Sequence, residues 1–305
     1  MHLQDARINN QQKEFFEIPF WFQPNDHMFN LRADRFEQLA AEETSDWHKY
    51  LTFLANLCRA QQILFDRHNN QQALTLPQTD HEERPLSTLL ITSHSPLINH
   101  LFNELFTLLE QQLSPTAIQV WRELRQLEQQ ELIQLCVKAF NQQINLAQQD
   151  YTVWINAVLQ IIYTLAAKKL AKEQIKPIAN IGYCPCCGTD AVGSVIIGRG
   201  NLEGLRYLQC GICNSRWHSI RAHCSFCDSS HNLTIQNIEH TSEAALAGAE
   251  AECCPNCQSY RKRYRLAKQQ YADPIADDLA SLALDIMLSE EQWRRGGANP
   301  FLIMT

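Results

Sequence analysis

Four Cys-x-x-Cys pairs carry the chemistry this sequence offers: Cys184/Cys187, Cys210/Cys213, Cys224/Cys227 and Cys254/Cys257, separated by 22, 10 and 26 residues. Two thiolates two residues apart reach one ion from a tight turn, and a second such turn closes a tetrahedral four-sulfur shell. A single pair would say little. Four pairs, with long gaps on either side of a short one, point to two metal sites. The residues that follow the pairs are Gly188, Asn214, Asp228 and Gln258. The first three readily take turn or left-handed conformations that aim backbone N–H groups at sulfur. In the frame Cys184-Pro185-Cys186-Cys187-Gly188, Cys186 falls between two ligands, and by the same register Cys253 is spare.

A faint repeat favours pairing in sequence order. Gly204 and Gly248 each lie six residues before the first cysteine of a pair, and Ser215 and Ser259 each lie two after the last. Site one is therefore assigned to Cys184, Cys187, Cys210 and Cys213, and site two to Cys224, Cys227, Cys254 and Cys257. A cross-braced arrangement is the alternative. Four-sulfur sites take zinc or iron, and spacing does not choose between them. With a divalent ion such a site is a net dianion, so Arg206, Arg216, Arg221 and the run Arg261-Lys262-Arg263-Tyr264-Arg265 are candidate counter-charges. A solvated strand or a nucleic-acid patch is the competing reading of that run. With eight paired thiols available, His218 and His223 are not needed as ligands. Disulfide exchange would call for one pair on a thioredoxin-like βαβ frame, which the sequence lacks. Ten of the twelve cysteines fall between 184 and 257, while Cys58 and Cys136 stand alone in helical, apolar surroundings as core residues.

These sites need a scaffold, and 305 residues supply one. At 45% hydrophobic and 19% charged residues the chain reads as an ordinary folded protein, long enough for two domains. Its formal net charge of -7 leaves only the cysteine-bearing segment mildly basic, so non-specific nucleic-acid binding is not expected. Residues 1–7 show no secretory signal. The most apolar window, Ala157 to Ala167, is interrupted by Gln160 and falls well short of the roughly 20 residues that cross a bilayer. A cytoplasmic location without membrane insertion is expected, with room for a homo-oligomer.

Residues 17–24, fenced by Pro19 and Pro24, read as an extended segment. Helical periodicity follows through Leu31, Phe36 and Leu39 and then from Trp47 to Phe65, with a surface loop over 66–83. Pro96 opens a further helix, Ser114-Pro115 caps another, and Tyr151 to Leu170 reads as a central helix buried by its neighbours. After Pro177 short β-like runs surround the cysteine pairs. Asp273-Pro274 then caps a last helix with apolar positions Ile275, Leu279, Leu282, Ala283 and Ile286. Its row Asp278, Ser281, Asp285 suggests a docking face, to which Arg261 and Arg263 are added as partner-binding candidates; a solvated acidic face is the plainer reading.

Cys-Pro-x-Cys-Gly at 184–188, Gly204-Leu205-Arg206-Tyr207-Leu208 before Cys210, Trp217-His218, residues 276–282 (Ala-Asp-Asp-Leu-Ala-Ser-Leu) and Asn299-Pro300-Phe301 together resemble the formate dehydrogenase accessory family of the FdhE type. Leu31-Arg32-Ala33-Asp34-Arg35-Phe36 and Tyr50 to Ala55 extend the resemblance across nearly the whole chain. It implies a mainly α amino-terminal domain (1–178), two small β-rich rubredoxin-like, zinc-ribbon-like metal modules (179–222 and 223–272) and a C-terminal helix and tail (273–305). It also implies two metal ions, with iron favoured over zinc. The implied role is that of a non-enzymatic cytosolic maturation factor acting on the catalytic subunit of respiratory formate dehydrogenase before export. Cys186, Cys253 and His223 depart from the family pattern. The alternatives are an iron–thiolate electron-transfer protein and a nucleic-acid-binding zinc ribbon.

Overall fold

The computed structural model describes residues 17–71, 74–77, 84–179, 181–238 and 248–302. The expectation about residues 1–7 and part of that for 66–83 lie outside them. Helices α1 (Met28–Glu42), α2 (Trp47–Gln71), α3 (Leu89–Ser93), α4 (Ser95–Leu109), α5 (Pro115–Gln126), α6 (Gln129–Phe140) and α7 (Thr152–Lys168) form the amino-terminal body. Every residue of α7 from Val153 to Ala167 is buried, which makes it the central helix its composition predicts. The Ser114 hydroxyl accepts from Ala117 N at 3.2 Å and caps α5, as Ser114-Pro115 foretells. The loop expected from residue 66 instead begins after α2 reaches Gln71. Arg67 and His68 both engage Glu104 on α4, and this tertiary contact holds the polar last turn helical.

The carboxyl-terminal half contributes β2 (Ala191–Ile196), β3 (Arg206–Cys210), β4 (Arg216–Ser219), β5 (Thr234–Gln236), β6 (Ala249–Cys254), β7 (Ser259–Arg265) and β8 (Arg294–Arg295), with α8 (Ala276–Ala280) and α9 (Leu282–Glu290) between the last two. From the extended amino-terminal segment comes β1 (Trp21–Phe22), which adds antiparallel to β4, with Trp21 opposite Trp217. The two expected metal modules are similar antiparallel meanders, β2-β3-β4 and β5-β6-β7. They are not separate beads. Parallel pairing of β2 with β7, Ser194 opposite Arg263 through Ile196 opposite Arg265, fuses them into one sheet of order β1-β4-β3-β2-β7-β6-β5. Strand β8 lies beside the other end of β7.

The helical body grips this sheet through polar side chains. On α7, Asn156 donates to Pro300 O at 2.8 Å and Gln160 to Gly211 O at 2.7 Å, while Thr164 Oγ1 accepts from Asn214 at 2.9 Å. On α1, Arg32 pairs with Asp273 at 3.0 Å and Arg35 with Asp277 at 2.5 Å, both arginines buried.

The last helix departs from the sequence expectation. It breaks at Ser281 (φ -112°, ψ 31°), so α8 and α9 differ in phase. Leu279, Leu284 and Leu288 are buried, whereas Ala283 and Ile286 are exposed.

Candidate metal centres

Each metal knuckle forms locally. Gly188 N donates to Cys184 O at 2.9 Å and Cys184 N to Thr189 O at 2.8 Å; Asp228 N to Cys224 O (3.0 Å) and Cys224 N to Ser229 O (2.8 Å) repeat the turn. All four residues that follow a pair, Gly188, Asn214, Asp228 and Gln258, have φ between 51° and 81°. Gln258 thus joins the three whose side chains foretell it. Backbone N–H groups point at sulfur in both halves: Ile212 and Cys213 at Cys210 Sγ (3.3 and 3.2 Å), and Phe226 at Cys224 Sγ (3.4 Å).

Folding brings the eight thiols together as two quartets in sequence order, Cys184/187/210/213 and Cys224/227/254/257, and not cross-braced. Cys210 ends β3 and Cys254 ends β6, which is the structural basis of the faint repeat. In the first quartet Cys184 and Cys213 sulfurs are 3.4 Å apart and those of Cys187 and Cys210 3.5 Å. In the second, Cys224–Cys257 and Cys227–Cys254 are each 3.7 Å apart. A disulfide requires about 2.05 Å. A tetrahedron of zinc–sulfur bonds of about 2.3 Å has an edge of about 3.8 Å. The donor sets fit a tetrahedral thiophilic ion. In each case all four positions are protein sulfur, so the shell is closed.

The spare cysteines sit where the register leaves them. Cys186 is buried, its sulfur 3.5 Å from Ser215 Oγ. Cys253 lies in a second small core with Tyr260, Leu284 and Leu288, and burial pushes its thiol up to about 12. His223 faces Asp228 at 2.9 Å and His218 packs edge-on to Tyr207; neither joins a quartet. Among the described residues a third cluster, His68, His100 and Glu104, joins α2 to α4. It escapes the sequence reading, although His100 and Glu104 stand one helical turn apart. Glu104 is also paired with Arg67.

Of the residues expected to bind a partner, Asp278, Ser281, Arg261 and Arg263 are buried and Asp285 is half-buried, and all five make contacts within the chain. Lys262, itself buried, reaches Asp285 at 2.5 Å, Asp278 at 3.1 Å and Ser281 Oγ at 3.1 Å. Arg295 pairs with both aspartates, and Tyr260 donates to Asp285 at 2.6 Å. Two carboxylates seven residues apart, one on α8 and one on α9, are tolerable because two cations lie between them. Arg263 pairs with Glu250 at 2.8 Å, while Arg206 pairs with Glu252. Arg261 is a strut between the two halves of the sheet. It binds Ser225 Oγ at 2.9 Å, Asp190 at 2.8 Å and Ala191 O, and its guanidinium lies 4.2 Å from the centre of the Phe226 ring. The basic run is therefore an internal strand, and the nucleic-acid reading loses its motive.

Burial works against the Asp278 carboxylate, but Lys262, Arg295 and Asn299 outweigh it and hold its pKa below the ordinary value of 3.8. Asp273, opposed by burial and favoured by Arg32, is lowered in the same way. A depressed carboxylate stabilises the fold above the unfolded-state pKa and loses that contribution as pH falls through the folded value. Melting temperature is expected to fall on acidification below about pH 4, and less steeply in Asp278→Asn. Parallel slopes in the two proteins, followed by thermal melts from pH 6 to pH 3, would contradict this role.

Family models described as "FdhE, N-terminal", "FdhE, central domain" and "FdhE, C-terminal domain" match residues 18–180, 183–221 and 222–302. The chain belongs to the FdhE family. A "Protein FdhE homolog" from Pseudomonas putida is 34% identical over 296 residues, covering 93% of this chain and 90% of that one. A "Protein FdhE homolog" from Pectobacterium carotovorum is 32% identical over 285 residues, with the same shares. The crystal structure of the FdhE protein from Pseudomonas aeruginosa is similar with a TM-score of 0.80 at 30% identity, covering 93% of this chain and 99% of that chain. Among the described residues no helix is long and apolar enough to cross a membrane.

Proposed function

We propose that this FdhE-family chain is a non-catalytic maturation factor for formate dehydrogenase, acting in the cytoplasm on the catalytic subunit before its export. The observation that carries this reading is that both cysteine quartets are closed. A catalytic thiophilic site keeps a position open for water or substrate, whereas four protein sulfurs leave none. An ion in each quartet, iron by family resemblance, cross-links two knuckles and supplies folding energy. The chain's own residues do the remainder: the knuckles fix strand ends, Arg261 ties the two halves, and α7 presents polar groups that seat the sheet on the helical body. What results is a rigid recognition platform, with module boundaries proposed near residues 179, 223 and 273.

Deleting the gene is expected to abolish respiratory formate oxidation, and the tagged protein to retain the formate dehydrogenase catalytic subunit in a pull-down. Normal formate oxidation in the deletion strain would remove the reading. One observation favours a second reading, electron transfer: Cys227 is exposed, so a sulfur of the second quartet meets solvent. Colourless zinc-loaded protein that restores formate oxidation in the deletion strain would reject electron transfer and leave the maturation role standing.

A further inference from the structure

The two quartets share a turn pattern but not an environment. In the first, all four cysteines are buried, inside the main core with Trp217, Leu208 and Ile212. Its sulfurs are held by Ile212 N, Cys213 N, Thr189 Oγ1 and Ser215 Oγ, at 3.2 to 3.4 Å. In the second, Cys224 and Cys254 are buried, Cys257 is half-buried and Cys227 is exposed. Phe226 N and Asn256 Nδ2, each at 3.4 Å, point at its sulfurs, together with the backbone at Cys227 and Ser229 and the Ser259 hydroxyl. Cys227 and Cys257 line one wall of a cleft of about 670 Å³. Asn156 of α7, Ile212 and the tail from Arg294 to Pro300 line other parts of it. A donor entering the cleft meets the sulfur edge of the second site without any opening of the core.

On the reading that both quartets hold an ion, we infer that the second quartet is an exchange site. It gives and takes its ion through the Cys227–Cys257 edge to a small soft-donor ligand seated in the cleft, while the first is sealed. Reaching the first quartet requires the main core to open, and the cost of such opening approaches that of global unfolding. Reaching the second requires only surface fluctuation.

Full-length protein loaded with zinc tests this by timed release to the chromogenic chelator pyridylazoresorcinol, followed by iodoacetamide alkylation and peptide mass spectrometry. Two ions per chain are expected, leaving in two equal phases that differ in rate by about tenfold or more. After the fast phase, alkylation should fall on Cys224, Cys227, Cys254 and Cys257, with Cys184, Cys187, Cys210 and Cys213 protected. Two ions leaving in one phase, or alkylation spread equally over both quartets or starting at the first, would overturn the inference. Fewer than two ions at the outset would instead overturn the metal reading on which it rests. Because the measurement uses the unaltered protein, its outcome does not depend on whether a cysteine variant folds.

Discussion

A Cys210→Ser chain is expected to lose one ion per molecule and, with it, the cooperative fold of the sheet. Cys210 is fully buried, ends β3 and accepts two backbone N–H groups, so no neighbouring side chain replaces it. Structural zinc contributes apparent binding free energies of about 10–16 kcal/mol in small finger peptides. Whole domains are stable by only about 5–15 kcal/mol. Loss of the ion is therefore comparable to the total stability, and the effect should spread because α7 touches the Cys210–Cys213 knuckle and the adjoining Asn214 through Gln160 and Thr164. Metal quantification together with limited proteolysis checks this. Two ions per chain and an unchanged cleavage pattern would show that Cys210 is not a ligand.

Lys262→Met should cost about 3–5 kcal/mol, the range for breaking a buried ion pair by removing one partner. The methionine fills the volume of the lysine stem but leaves Asp278 and Asp285 to share the charge of Arg295, with Asn299 and Tyr260 as neutral donors, and strands the Asp278 and Ser281 carbonyls that Lys262 Nζ now serves at 3.0 Å each. Adding Asp285→Asn to Lys262→Met should recover part of the loss, because the surplus negative charge is then gone. Metal content should stay at the wild-type level in both variants. Denaturant midpoints measure the effect, and a change below about 1 kcal/mol would place the stabilisation elsewhere.

What was legible in the sequence was local. A Cys-x-x-Cys turn is made by consecutive residues, so the knuckles, their left-handed positions and the spare register of Cys186 and Cys253 could be read one by one. The capped α5 and the buried α7 are of the same kind. Contacts between distant elements were not legible. The row Asp278, Ser281, Asp285 looked like a surface only because nothing near it in sequence announces that Lys262 and Arg295 face it. Leu284 and Leu288 do not stand out in the sequence, because the break at Ser281 shifts the buried face of α9 out of phase with α8. The parallel β2–β7 pairing has no turn to signal it. Asn156, Gln160 and Thr164 were readable in principle: polar residues at every fourth position of an otherwise apolar helix mark a face that must meet polar backbone.

The junction of β2 with β7 bears on how the molecule is made. A ribosome releases the first pair of knuckles and their meander well before β7 exists, and until then β2 has an open edge. Non-local parallel pairing forms slowly because a long loop must close first. The nascent chain thus passes through an interval in which the four thiols of the first quartet are already made while the sheet stays unfinished.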